Sequence, residues 1–149
     1  MTDLQDLYQE LILDHGRRPR NFGRLEDANK TAEGYNPLCG DKIRVYVKVA
    51  GDVVEDIKFE GAGCAISTAS ASIMTDALKG KSRAESEQLF KAFHDLVTGQ
   101  PPRPDTPDLG KLEVFSGVSE FPTRVKCATL SWHTLRSALS GEGEAVSTE

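Results

Sequence analysis

The sequence predicts an α+β fold, a small three-stranded antiparallel sheet packed against helices, and three observations carry that prediction. Residues 41 to 49 alternate strictly, with Ile43, Val45, Val47 and Val49 on one face and Lys42, Arg44, Tyr46 and Lys48 on the other. Period-two alternation is the signature of a half-buried strand. Ala50-Gly51-Asp52 then makes a tight turn into a second run, Val53 to Glu60, and two strands joined so closely form an antiparallel hairpin. Before and after the hairpin the apolar spacing is helical, so helices cover one side of the sheet.

Taken in order, the first helix spans about residues 3 to 15. Leu4, Leu7, Tyr8, Leu11 and Ile12 form its stripe, Thr2 or Asp3 caps its start, and Gly16 stops it. A loop with proline and glycine follows from Arg17 to Gly23, and a shorter strand around residues 32 to 38 pairs beside the hairpin. Beyond Gly61-Ala62-Gly63 the small residues Ala65, Ser67, Ala69, Ser70 and Ala71 predict a helix that packs close to the sheet and stops at Gly80. Ser82 with Glu85 reads as a capping box opening a helix on Leu89, Phe90, Phe93 and Val97, which ends at Gly99. Residues 100 to 108 hold four prolines and form a surface loop, followed by a short helical piece over 109 to 116. Pro122 starts the last helix, with Val125, Ala128, Trp132, Leu135 and Leu139 on one face. Residues 1 to 140 are expected to form one domain and 141 to 149 a flexible C-terminal tail.

A chain of 149 residues suffices for one core. No apolar run approaches the roughly 18 residues of a membrane span. The acidic, amphipathic start lacks the basic and apolar stretches of a secretory signal, so the expected location is cytoplasmic, with no membrane partner. The net charge of -5 argues against nucleic acid as a partner, because phosphate binding needs a basic face. The basic run Arg17-Arg18-Pro19-Arg20 is short and broken by proline. It is either a solvated loop or part of a docking surface.

Three cysteines cannot all pair, and all three fall at joints between elements. Cys39 precedes the long strand, Cys64 lies at the turn from strand to helix, and Cys127 sits in the first turns of the final helix. Cysteines used as small hydrophobes favour mid-element apolar positions instead. Cys39 and Asp41 are two apart on a chain entering a strand, which presents a thiolate and a carboxylate on one side. Gly40 and Gly63, beside these residues, leave room for something to approach. Cys39, Asp41, Cys64 and Cys127 therefore make a candidate four-coordinate set, suited to tetrahedral zinc and equally, through the thiolates, to an iron–sulfur cluster. With no CxxC pair, the site must be assembled by the fold, and its metal should be exchangeable. Three thiolates and a carboxylate around a divalent ion leave a formal charge of about -2, which Arg124, Lys126 and helix N-termini are placed to offset. The hard oxygen of Asp41 makes it the candidate for a displaceable ligand.

Four ordered motifs point further: His15-Gly16-Arg17-Arg18-Pro19-Arg20-Asn21-Phe22-Gly23, Asn36-Pro37-Leu38-Cys39-Gly40-Asp41, Gly61-Ala62-Gly63-Cys64-Ala65-Ile66-Ser67, and Phe121-Pro122-Thr123-Arg124-Val125-Lys126-Cys127-Ala128-Thr129-Leu130. Across residues 7 to about 139 the chain resembles the NifU N-terminal-like iron–sulfur scaffold proteins, and within them the SUF-system U-type sulfur acceptors. Two details favour that branch. Lys126 stands where the ISC-branch scaffolds carry a histidine, and residues 109 to 123 resemble the extra segment of the U-type proteins. The proline-rich chaperone-recognition sequence of the ISC scaffolds is missing before Cys127.

The resemblance implies a SufE/NifU-like fold and a zinc-dependent sulfurtransferase that works with a cysteine desulfurase, with SUF scaffold proteins downstream. It implies that Cys39 takes the terminal persulfide sulfur, freed when a histidine of the partner replaces it on the zinc, by an exchange governed by thiolate fraction and access. Arg124 would steady the negative sulfur or the docked partner. Two rivals use the same ligands: a scaffold that builds and hands on an iron–sulfur cluster, against which Lys126 weighs, and an interaction module whose zinc only holds surface loops. Elsewhere, His15 is expected to serve the last carbonyls of helix one, His94 and His133 to lie on or near the surface, and Trp132 to sit in the core.

Overall fold

The computed structural model describes residues 4–38, 40–101, 103–104, 106–140 and 146–147, and side chains over the same residues except 4–6 and 146–147. In chain order the elements are α1 (Leu4–Arg17), β1 (Lys30–Asn36), β2 (Asp41–Ala50), β3 (Val53–Ala62), α2 (Ala65–Leu78), α3 (Arg83–Val97), a 3₁₀ helix (Gly110–Glu120), α4 (Pro122–Ser140) and β4 (Val146–Ser147). The expected α+β architecture is present. β1, β2 and β3 form an antiparallel sheet, and β4 adds two residues parallel to β1 at Gly34 and Tyr35, giving the order β3-β2-β1-β4. Apart from those two residues, the expected tail over 141 to 149 lies outside the described residues.

The alternation of β2 holds for Ile43, Val45 and Val47, which are buried against the helices, and ends at a register shift between Lys48 and Val49, where Val49 is only half-buried. On the opposite face Arg44 lies in register between Glu33 and Glu60 and pairs with Glu33. Tyr46 on that same outer face is nonetheless 5% exposed. It is flanked in register by Thr31 and Lys58, and its hydroxyl donates to Glu60. The exposed edge of β3 is covered: Phe59 exchanges backbone hydrogen bonds with Asn21 and Gly23, and Val54 does so with Gly80 and Lys81. Covering an edge in this way blocks pairing with another chain.

α4 is the central helix. Residues from Cys127 through Trp132, then Thr134, Leu135, Ser137 and Ala138, are buried, so the helix is enclosed well beyond the single stripe expected of it. Its buried threonines satisfy their own hydroxyls within the helix, Thr129 donating to Val125 O over 2.9 Å and Thr134 to Leu130 O over 2.7 Å. Trp132 is core as expected, stacked on Phe93 at 4.7 Å, and its indole N–H donates to Ser70 Oγ over 3.3 Å. The Ser82–Glu85 capping box opens α3 as expected. The short helical piece is a longer 3₁₀ helix that buries Leu112, Val114, Phe115 and Val118.

Three details of α1 differ from expectation. The helix runs through Gly16 to Arg17; a Cβ at Gly16 would lie 3.3 Å from the Cα of Ala65, so the glycine serves close packing of α1 on the start of α2 rather than termination. Leu7 is 52% exposed, while Tyr8, Leu11 and Ile12 pack on the core; the expected caps Thr2 and Asp3 lie outside the described residues. His15 continues the Tyr8–Leu11–Ile12 face inward instead of serving the helix carbonyls. It is 1% exposed, its Nδ1 is 2.7 Å from Ser72 Oγ, and that hydroxyl accepts the Arg20 N–H over 2.8 Å. The Arg17–Arg20 loop is thereby pinned to α2, and the Arg20 guanidinium turns back to pair with Asp14 at 2.7 Å.

A candidate metal centre at the strand–helix junction

Three side chains from distant parts of the chain meet where the sheet ends. Asp41 opens β2, Cys64 is the N-cap of α2, and Cys127 lies in the second turn of α4. One ligand-type atom from each lies within 4.8 Å of the other two. Asp41 and Cys127 are fully buried and Cys64 is half-buried, so among the described residues the cluster meets solvent on the Cys64 side. Cys39 lies outside the described residues. Arg124 is exposed on the first turn of α4, three residues before Cys127, and Lys126 is half-buried.

Local structure explains the convergence. The antiparallel register sets Asn36, the last residue of β1, opposite Asp41, and both point to the buried face of the sheet. Asp41 Oδ1 accepts the backbone N–H of Cys64 over 2.8 Å, which fixes the start of α2 against the start of β2. Gly63 makes that contact possible, because a Cβ there would lie 2.6 Å from Asp41 Oδ1. Cys64 Sγ accepts the N–H of Ser67 over 3.4 Å, in the manner of an N-cap side chain. The sulfur thus sits at the positive end of the α2 dipole, which offsets negative charge in the cluster. Cys127 Sγ donates to Thr123 O at 3.5 Å, one turn back along α4.

The donor set fits zinc. Two sulfurs at the usual distance of about 2.3 Å from one tetrahedral ion are about 3.8 Å apart, so donors already within 4.8 Å need only small side-chain adjustments to share it. Two thiolates and a carboxylate also leave a place for a further ligand.

The structure brings together Asp41, Cys64 and Cys127, three of the residues singled out from the sequence, and sets beside them Asn36, to which the sequence alone assigned no role. Its Nδ2 lies 3.4 Å from Asp41 Oδ2 and 3.6 Å from Cys127 Sγ. The available signal was its place in the alternation of β1, where Ala32, Gly34 and Asn36 face inward and only the last is polar.

The NifU-like N terminal domain family matches residues 7–128. The chain belongs to this family. It is 48% identical over 141 residues to the zinc-dependent sulfurtransferase SufU of Bacillus subtilis, covering 95% of each chain. It is 43% identical over 145 residues to the iron–sulfur cluster assembly scaffold protein IscU of Streptococcus pyogenes, covering 97% of this chain and 90% of that one. Among solved structures, a crystal structure of the SUF-system scaffold protein FiSufU from Fervidobacterium islandicum superposes with a TM-score of 0.82 at 36% identity, covering 92% of this chain and 99% of that one. The fold expected from the resemblance is therefore the fold observed, and the protein is a member of the iron–sulfur cluster assembly scaffold family. Among the described residues no helix is long and apolar enough to cross a membrane.

Proposed function

We propose that this protein is a zinc-dependent sulfur acceptor, a sulfurtransferase that takes persulfide sulfur from a cysteine desulfurase for iron–sulfur cluster assembly. The observation that carries this reading is the meeting of Asp41, Cys64 and Cys127 within 4.8 Å at a half-open junction, with Cys39 two residues before Asp41 in the chain. Cys39, Asp41, Cys64 and Cys127 would hold the zinc, whose chemistry there is to keep the coordinated thiols deprotonated and shielded until a partner docks.

Cys39 is the acceptor. Its thiolate attacks the terminal sulfur of the desulfurase persulfide; a new S–S bond forms on Cys39, the old one breaks, and the desulfurase thiolate leaves. Arg124, exposed one turn before Cys127, steadies the incoming negative sulfur or the docked partner. SUF scaffold proteins are the downstream takers of the sulfur. Neither nucleic acid nor membrane is a partner, and the cytoplasm, which keeps thiols reduced, is the location.

A second reading has specific support. The streptococcal relative is named a scaffold, and the same cysteines suit a [2Fe–2S] or [4Fe–4S] cluster as cargo. Lys126, in the place where ISC-branch scaffolds carry a histidine, favours the acceptor. Desulfurase turnover separates the two: added protein accelerates alanine release from cysteine if it accepts sulfur, and Cys39→Ala stays folded but loses the acceleration. No acceleration, with stoichiometric iron and acid-labile sulfide on the purified protein, would establish the scaffold instead.

A further inference from the structure

Asn36 is 0% exposed, and every polar atom of its side chain is engaged. Its Oδ1 accepts the N–H of Leu38 over 3.3 Å, a local turn that fixes which way the amide faces. Flipping the amide would aim its oxygen at the Asp41 carboxylate and set its NH₂ against the Leu38 N–H, two repulsive contacts. The NH₂ therefore faces inward, and its two hydrogens match two acceptors: Asp41 Oδ2 at 3.4 Å and Cys127 Sγ at 3.6 Å. With Oδ1 already held by the Cys64 N–H, both carboxylate oxygens of Asp41 have fixed donors.

We infer that Asn36 is a positioning residue of the metal centre, whose amide ties the Asp41 carboxylate of β2 to the Cys127 sulfur of α4 and holds both in ligating orientation. The inference rests on the zinc reading above. Asn36 is not a ligand itself, because its oxygen is turned away to the Leu38 turn. With zinc bound it would be an uncharged donor between a carboxylate and a thiolate. Its N–H dipoles offset part of their mutual repulsion without adding a cation that would compete with the ion for them. Groups that orient metal ligands in this way typically matter by about 10- to 100-fold in metal affinity.

The test uses the full chain, purified and stripped of metal, with zinc titrated against a chromophoric chelator. Asn36→Ser keeps an oxygen able to accept the Leu38 N–H but is too short to bridge Asp41 and Cys127; Asn36→Ala removes both roles. Thermal melts with and without zinc accompany each titration. The expected result is zinc affinity weaker by roughly 10- to 100-fold in both variants, with the metal-free melting temperature of Asn36→Ser close to that of the parent. Asn36→Ser binding zinc within about threefold of a parent that binds it would overturn the inference and leave the function standing. A metal-free melting temperature of Asn36→Ser lowered as much as its zinc-loaded one would also overturn it, by making Asn36 a general structural residue. A parent that takes up no zinc would overturn both.

Discussion

The backbone N–H of Cys64 donates to Oδ1 of Asp41 over 2.8 Å, so one hydrogen bond joins two candidate ligands that lie 23 residues apart in the chain. The bond depends on the bare backbone of Gly63. A methyl group there would fall 2.6 Å from the same oxygen, and the carboxylate would have to swing away or the turn into α2 would have to open. Gly63→Ala is therefore expected to leave a folded protein, by circular dichroism, whose zinc affinity drops by about 10- to 100-fold in a chelator competition. Parent-like affinity would show that the close approach of Gly63 and Asp41 is dispensable.

A buried histidine, His15, and a half-buried one, His133, give the metal-free protein an acid limb. Burial is the largest cause holding the pKa of His15 below the ordinary value, with Arg20 and Lys111 adding to it against the opposing Asp14 and Asp76. Burial does the same for His133, helped by His94 and Arg136. A depressed folded pKa means that the unfolded chain binds more protons, so stability is fully present above the ordinary histidine value of about 6.5 and is lost as pH falls below it. The melting temperature of metal-free protein should fall between about pH 7.5 and pH 5.5, and His15→Gln should shrink that fall even if it lowers the melting temperature at neutral pH. An unchanged slope in His15→Gln would remove His15 from the account.

Phe93 stacks on Trp132 at 4.7 Å with 17° between the rings and meets Phe115 edge-on at 5.7 Å. This aromatic layer fixes α3 and the 3₁₀ helix to α4, the helix that carries Cys127. Phe93→Ala should cost about 3–5 kcal/mol in denaturant unfolding followed by Trp132 fluorescence. Zinc stoichiometry should be unchanged in the fraction that remains folded, because the layer supports the site without entering it.

What the sequence made legible is what local chemistry controls. The alternation of β2, the turn after Ala50, the Ser82–Glu85 box and Pro122 each act over a few residues, and each appears where it was read. The convergence of Asp41, Cys64 and Cys127 was also foreshadowed, because cysteines at joints between elements carry a signal that packing does not explain. Other features depend on neighbours distant in sequence. Gly16 reads as a helix stop until Ala65 is seen against it, and His15 reads as a cap until Ser72 is found across the interface. Tyr46 is covered by residues of two other strands, and Asn36 acquires its role only when Cys127 arrives from 91 residues away.

The most direct test of the central claim is mass spectrometry of the zinc-loaded protein after incubation with a cysteine desulfurase and cysteine, with thiols blocked and zinc, iron and sulfide quantified on the same sample. The account predicts about one zinc per chain, no iron, and a single added sulfur on the peptide carrying Cys39, absent when cysteine is omitted. Iron with acid-labile sulfide and no sulfur added to Cys39 would contradict it and make the protein a cluster scaffold.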